Sequence, residues 1–404
     1  MKFTEGGVTA AKGFSASGMY CGIRKNKSKP DLALIYSNVP CSAAAVYTQN
    51  LVKGAPIQVT RKNISDGIAQ AVICNSGNAN TCNADGEEKA WLMCEAAAKE
   101  LGIKPSDVIV ASTGVIGQIL PIEPIQKTVP ALAKALSESG SEDAAKAIMT
   151  TDTEVKNIAI ELTIGGKAVH IGGIAKGSGM IHPNMATMLC FLTTDAAISA
   201  KALDSALREA VNVSFNMVSI DGDTSTNDMT AIMANGLAGN TEIREGTEDY
   251  KAFVAGLTEL ATTLAKKVAK DGEGATKLLI CRVTGAKTYA DAVLISKSVI
   301  CSSLLKAAMF GADANWGRVL CAIGYAKAQT DINQVDVAFE SKAGRVEVCR
   351  NGAGIEFSEE TAKDVLTQDE ITIDVKLHDG TFEATAFGCD LTYDYVKING
   401  DYRT

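Results

Sequence analysis

The chain is poor in histidine, tryptophan and proline: 404 residues carry three His, two Trp and eight Pro. The histidines are His170, His182 and His378. Any Ser-His-Asp triad would have to use one of them, and no G-x-S-x-G elbow supplies its serine. The eleven cysteines are scattered singly from Cys21 to Cys389, with no C-x-x-C pair. An odd, unpaired set argues against a disulfide framework and for a reducing, cytoplasmic setting. Clustered Cys and His of zinc-binding spacing are also missing, so no metal site is expected. No apolar run reaches the ~18 residues that span a bilayer. No unbroken apolar segment follows Met1–Gly7, so neither a cleaved secretory signal nor a membrane partner is expected. There is no basic excess: 39 Lys and Arg face 47 Asp and Glu, a net charge of −8. That balance argues against a nucleic-acid partner. Neither G-x-x-x-x-G-K-[ST] nor a strand-linked G-x-G-x-x-G appears, which removes the usual nucleotide cradles. The run from Asp221 to Ser225 opens like a calcium loop, but Thr226 stands where glycine is required and Ile232 where glutamate is. A turn held by Asp and Ser/Thr side chains, or support for a site, remains for that stretch.

Glycine is abundant at 36, and 46% of the residues are hydrophobic, an ordinary globular share. Short apolar runs at 31–36, 71–74 and 108–111 read as strands. Residues 87–101 read as a helix, with Trp91, Cys94, Ala98 and Leu101 at helical spacing. Further helices are expected at 123–137, 200–211 and 249–270. The strands 158–164 and 168–174 flank Gly165-Gly166 as a hairpin. Later strands are expected at 278–283, 335–339, 345–349 and 371–377. Tyr393, Tyr395, Val396 and Ile398 nearly alternate, as a final docked strand would. Strands and helices mix without a strict βαβ rhythm, which indicates α+β. No low-complexity linker divides the chain. A break near 284–291 separates a main domain, 1–285, from a C-terminal α/β domain, 286–404.

The informative stretch is glycine-dense and non-periodic. It runs from Gly172 through Lys176-Gly177-Ser178-Gly179-Met180 to Ala186-Thr187, then into the apolar run Met188–Leu192. A threonine hydroxyl is a poor nucleophile unless an adjacent amine takes its proton, as in enzymes with an N-terminal Thr. Such a Thr arises inside a chain when its own hydroxyl attacks the preceding carbonyl and the resulting ester hydrolyses. The freed α-amine, with a pKa of ~7.7–8.0, then serves as base without any histidine. Taken on residue chemistry alone, Ala186-Thr187 reads first as an ordinary strand start. Cys190, inside the apolar run, reads as a core thiol.

These residues have company. Asn75–Asn80, Ser112–Gly117, Met149–Thr153, Asp271–Lys277, Asp313–Arg318 and Ile398–Thr404 stand in order with the Lys176–Leu189 stretch. Together the seven blocks resemble the ornithine acetyltransferase (glutamate N-acetyltransferase) family of arginine biosynthesis, essentially end to end. Gly400, where alanine is common, and the variable Thr81–Asn83 are mild departures that touch no assigned role.

The resemblance implies an α+β fold with a layered αββα sandwich, shared with self-cleaving aminopeptidases. It implies cleavage between Ala186 and Thr187 into an α chain, 1–186, and a β chain, 187–404, assembled as α₂β₂. Thr187 is then the nucleophile that carries acetyl from N-acetylornithine to glutamate by a ping-pong route. Thr113 and Gly114 match the oxyanion-hole positions. Thr150, Lys176, Thr187, Glu273, Asn399 and Thr404 match the substrate-contacting positions. No cofactor is implied, and acetyl-CoA is left open as a second donor. A self-processing N-terminal-nucleophile aminopeptidase or amidase of the same fold is the alternative enzyme. A binding protein for acidic amino acids that keeps the fold without cleavage is the non-catalytic one.

Overall fold

Alternation of side chains along the strands decides the layering. The structure, a computed structural model, describes residues 1–182 and 188–401. Ala186, Thr187 and Thr404, and with them the cleavage site, lie outside the described residues. The strands up to residue 182 are β1 (Lys2–Thr4), β2 (Phe14–Met19), β3 (Leu32–Tyr47), β4 (Ile68–Asn75), β5 (Val108–Ser112), β6 (Lys156–Ile164) and β7 (Lys167–Lys176). After it come β8 (Leu189–Thr194), the short β9 (Val218–Ser219) and β10 (Met229–Ala234). Helices α1 (Ala55–Asn63), α2 (Gly86–Leu101), α3 (Ile122–Lys134), α4 (Ser141–Ile148), α5 (Ala200–Val213) and α6 (Glu248–Lys270) lie between or after them. One hydrogen-bonded sheet runs β1-β6-β7-β8-β10-β3-β4-β5, with β2 paired to β3 beside this path.

That sheet folds back on itself at β3. In β5, Val108 and Val110 face a core shared with Met93 of α2 and Ile125 of α3, while Ile109 and Ala111 face the other way. The opposite half of the sheet repeats the pattern. In β8, Cys190 and Leu192 face Leu203 of α5 and Leu264 of α6, while Leu189 and Phe191 turn inward. Ile109, Ala111, Leu189, Phe191, Met229 and Met233 therefore meet in one inner core between two sheet halves. Strand β3 serves both outer layers: Leu32 and Leu34 pack toward α2 and α3, Ala44 and Val46 toward α5 and α6. Its pairing with β4 shifts register between Tyr36 and Cys41, an irregularity of the kind that bends a strand. The result is helix, sheet, sheet, helix: an α+β chain with an αββα sandwich. The β6–β7 hairpin closes through Gly165 and Gly166, both at positive φ (54° and 74°), as a tight two-residue turn requires.

A second sheet follows from β11 (Leu278–Ala286), β12 (Asp336–Ser341), β13 (Gly344–Arg350), β14 (Ala353–Gly354), β15 (Glu370–Lys376) and β16 (Phe382–Cys389). Its order is β14-β13-β12-β15-β11-β16-β9. The boundary expected at 285/286 falls at the end of β11, inside this sheet. Strand β9 joins the same sheet from earlier in the chain, and α6 touches strands of both sheets. One apolar cluster runs through from α5 and α6 to β11, β15 and β16. With no linker between the two bodies, composition carried no trace of where one ends. Helices α7 (Tyr289–Cys301), α8 (Ser303–Phe310), α9 (Trp316–Gly324) and α10 (Glu359–Leu366) complete this part. Among the described residues no single helix is long and apolar enough to cross a membrane. The pair α7 and α8 passes only jointly, bent by 56°, and buries Ile295, Val299, Leu305 and Met309 in the core.

The tail differs from expectation. Residues Tyr393–Gly400 form a helix, α11, not a strand. The half-exposed Tyr395 and Ile398 stand three residues apart on one helical face. Near-alternation over so short a run cannot separate the two periods. Thr392 hydrogen-bonds through its hydroxyl to the Gly274 carbonyl at 2.7 Å. Gly274, at φ +69°, leaves room there: a Cβ would lie 2.8 Å from the Tyr395 nitrogen. The tail is thus fastened to the loop that follows α6.

Candidate active site

The C-terminal end of β5 runs into Ser112-Thr113-Gly114. The Thr113 N–H donates to the Asn75 carbonyl at 2.9 Å, continuing the parallel pairing of β4 with β5 by one residue. Beside it, the Asn75 carboxamide oxygen accepts the N–H groups of Gly77 (3.2 Å) and Asn78 (3.0 Å). The two turns pack so closely that only glycine fits at 114. Its φ is +128°, and a Cβ would stand 2.8 Å from both the Asn78 nitrogen and the Gly77 carbonyl carbon. Asn227 ties this corner to β10, donating to the carbonyls of Ala79 (2.6 Å) and Ser112 (2.9 Å).

Lys176 is the last residue of β7, opposite Leu189 on β8, and only 7% exposed. Its neighbourhood is organised by a second lysine. Lys156, fully buried in β6, pairs with Asp152 at 2.8 Å and Asp271 at 2.5 Å. Asp152 also accepts the N–H groups of Thr150 (2.9 Å) and Gly177 (2.7 Å). Asp271 accepts the N–H of Thr153, at 3.1 and 3.2 Å to its two oxygens, and that residue's hydroxyl. Burial opposes ionisation of Asp152, yet Lys156 and Lys176 beside it hold its carboxyl well below the usual carboxylate range. One buried carboxylate–lysine–carboxylate bridge thereby fixes the loop carrying Thr150, the backbone after Lys176 and the loop entering Glu273.

Glu273 is also buried. Its carboxylate accepts from the Asn399 amide at 2.7 Å, and its N–H donates to the Ser178 carbonyl at 2.8 Å. Gly179 lets the carboxylate pass, since a Cβ there would come within 2.4 Å of it. Asp221 steadies the same loop by accepting the N–H groups of Met180 (2.6 Å) and Ile181 (2.9 Å). Tyr395 of α11 donates to Asp221 at 3.3 Å. Behind the loop, His182 lies 3.1 Å from the Ser219 hydroxyl and 3.5 Å from the Cys301 sulfur. Burial, with Lys297 nearby, pushes its imidazole down to about 4, so it is neutral at ordinary pH.

Thr113, Gly114, Thr150, Lys176, Glu273 and Asn399 all line one cavity of about 130 Å³. The sequence expectation named each of them, and they come from five separate stretches of chain. Ser225, Thr226 and Asn227 line it too and were not singled out; the Asp- and Thr-rich run at 221–228 was their only signal. Asp152, Lys156, Asp271 and Asp221 were likewise unassigned, because their work is done on backbone amides and on one another. Asp228, at the foot of β10, is fully buried, and one carboxyl oxygen has no hydrogen-bond partner. Burial raises its carboxyl well above the usual carboxylate range. Among the described residues no group of three or more His, Cys, Asp or Glu could hold a metal ion.

Removing one member of the buried bridge has a defined consequence. Asp152→Asn leaves Lys156 half-paired in the interior, which costs about 3–5 kcal/mol. Urea unfolding at neutral pH should show that loss. Because the folded-state carboxyl is depressed, the Asp152 contribution is present above the unfolded pKa of ~3.9 and fades as pH falls below it. Wild type and variant should therefore converge in acid; a constant gap down to the acid limit would contradict this assignment.

Fold and site together describe an αββα sandwich with a small charged cavity at the edge where its two sheet halves meet. The chain belongs to the ArgJ family, whose model matches residues 15–404. The arginine biosynthesis bifunctional protein ArgJ of Symbiobacterium thermophilum is 54% identical over 406 residues, covering 100% of both chains. The Bacillus subtilis protein of the same name is 49% identical over 401 residues, covering 99% of this chain and 97% of its own. A solved ArgJ from Bacillus halodurans is 42% identical and covers 52% of this chain and 97% of its own, with a TM-score of 0.49. This chain is, like those full-length relatives, an enzyme of arginine biosynthesis.

Proposed function

We propose that this cavity transfers the acetyl group of N-acetyl-L-ornithine to L-glutamate through an acetyl ester on Thr187. The observation that supports it is the convergence of Lys176, Glu273 and the Thr113-Gly114 turn on one cavity of amino-acid size. Lys176 offers a buried cation to the α-carboxylate that both substrates carry. Glu273 offers an anion to the side-chain ammonium that N-acetylornithine retains. The Gly114 N–H and the Thr113 hydroxyl are the donors for the developing oxyanion.

The steps balance without a metal or cofactor. Peptide cleavage before Thr187 frees its α-amine. That amine takes the Thr187 hydroxyl proton as Oγ attacks the acetyl carbonyl. The tetrahedral intermediate expels ornithine, whose amine receives the proton. Glutamate then attacks the ester, its amine loses a proton, and Thr187 Oγ recovers one. Acetyl-CoA enters the same scheme as an alternative donor, in keeping with the word bifunctional in the relatives' names. The form we propose is an α₂β₂ assembly in the cytoplasm. Initial rates at several glutamate concentrations should give parallel double-reciprocal lines. Acetate released in place of N-acetylglutamate would instead assign the aminopeptidase or amidase activity, with water as acceptor.

Asn399 carries a further prediction. It holds Glu273 through a charge-assisted hydrogen bond, so Asn399→Ala should lower kcat/KM for N-acetylornithine about tenfold. Cleavage before Thr187 should stay complete on a denaturing gel. Unchanged kcat/KM would remove Asn399 and the tail helix from the substrate site.

A further inference from the structure

A larger cavity, of about 360 Å³, adjoins the first and shares Gly114, Thr150 and Thr151 with it. The proposed amino-acid substrates have no use for it. One wall is the loop joining β2 to β3, which carries Arg24, Lys25, Lys27 and Lys29 within six residues and a single acid, Asp31, at its end. In a chain of net charge −8 this is a marked local reversal of sign. Arg24, Lys25 and Lys29 line the cavity.

The loop is firmly mounted. Asp31, fully buried, accepts the N–H groups of Cys21 (2.5 Å), Ile23 (2.9 Å) and Arg24 (2.9 Å). The Arg24 guanidinium donates to the Ser76 carbonyl at 2.8 and 3.0 Å and to the Met149 carbonyl. Both anchors adjoin the site: Ser76 leads into the Gly77–Asn78 turn, and Met149 precedes Thr150. Gly77 brings the loop within contact, since a Cβ there would lie 2.4 Å from the Ile23 side chain. Asp31 is committed to the loop backbone and Asp152 to Lys156. Among the described residues neither Lys25 nor Lys29 has an ion-pair partner. Two exposed lysines thus line a cavity that Gly114 also lines.

We infer that this second cavity is the entry for a phosphate-bearing acyl thioester, with Lys25 and Lys29 holding its phosphates and the thioester reaching the Thr113-Gly114 turn. The inference rests on the acetyl-enzyme reading above. A coenzyme A thioester has the matching shape: phosphates at one end, a narrow neutral arm, and the acyl group at the other. In the transfer, Thr187 Oγ forms the bond to the acyl carbon, the carbon–sulfur bond breaks, and the hydroxyl proton passes through the α-amine to the departing thiolate. The ordinary donor, N-acetylornithine, reaches the same carbonyl position from the first cavity. The two donors therefore share the oxyanion turn but not their recognition groups.

Desulfo-coenzyme A, which has the phosphates and the arm but no thiol, is the probe, and titration calorimetry on the matured enzyme is the readout. Wild type should bind it, more weakly as salt is raised. Lys25→Ala/Lys29→Ala should raise Kd by about tenfold or more, since two charge-assisted contacts are lost. Lys25→Arg/Lys29→Arg should stay close to wild type. Three results overturn the inference: no binding by wild type, an alanine variant that binds within twofold of wild type, or displacement of the probe by an equal concentration of inorganic phosphate. Exchange of acetyl between N-acetylornithine and glutamate, measured on the same wild-type preparation, separates the two readings. Normal exchange without probe binding refutes only the thioester entry, whereas absent exchange refutes the proposed function itself.

Discussion

Thr187→Ala is expected to give a chain that stays in one piece and transfers no acetyl group. In the proposed scheme the same hydroxyl attacks twice, first the Ala186 carbonyl and later the acetyl carbonyl. Cys190, the nearest thiol in sequence, is fully buried in β8, and burial pushes its thiol far above the ordinary range, so it holds its proton. Loss of the nucleophile should lower kcat by at least about 10⁴-fold. Thr187→Ser keeps a hydroxyl at the position and should still cleave. A denaturing gel and N-terminal sequencing check both variants. A new terminus at position 187 in the alanine variant would show that cleavage does not need this side chain.

The second large effect belongs to Gly114. An added Cβ meets two separate obstacles: a φ of +128° and the Gly77–Asn78 backbone at 2.8 Å. Neither the Asn78 amide nor the Gly77 carbonyl carbon is the end of a flexible side chain, so the turn itself must move. Displacing one oxyanion donor typically costs ~10²–10³ in kcat, and Gly114→Ala should lose at least that in acetyl transfer and in maturation. Gly117→Ala is the control. That glycine also has a positive φ, +79°, but open space around it. It should lose about 1 kcal/mol of stability through strain with transfer little changed. Equal losses in the two variants would mean that backbone strain, and not the oxyanion turn, explains the effect at 114.

Much of the fold was legible because the strands alternate cleanly. The strands at 71–74 and 108–111, the hairpin at Gly165-Gly166 and the long helix ending at Lys270 all follow from short-range pattern. Strand β3 was seen only in its first part, at 31–36. Its continuation to Tyr47 passes through Ser37–Pro40, where polar residues and a proline interrupt the pattern, and there the sheet changes layers. Tail helix α11 was misread because its docking is set by Gly274 and Asp221, far away in sequence. The join between the two sheets was hidden for a related reason: α6 and β11 are linked by 271–277, a stretch busy with the site and not a spacer.

The site divides in the same way. Glu273 and Thr113-Gly114 lie in glycine-rich, non-periodic segments, and Lys176 ends β7 where another such segment begins; such segments draw the eye. Asp152 and Lys156 looked like an ordinary polar loop running into a strand. Their importance lies in the bridge that Lys156 makes between Asp152 and Asp271, the latter 115 residues away, which single-sequence reading cannot reach. Asn227 is similar, a turn residue by sequence and a clamp on Ser112 and Ala79 in space.

Intact mass spectrometry of the purified enzyme, before and after mixing with N-acetylornithine in the absence of glutamate, tests the central claim most directly. The account predicts two chains, one of them beginning at Thr187, and on mixing a gain of one acetyl group on that chain alone, which disappears when glutamate is added. A single full-length chain that still transfers acetyl, or an acetyl group on any residue other than Thr187, would contradict it.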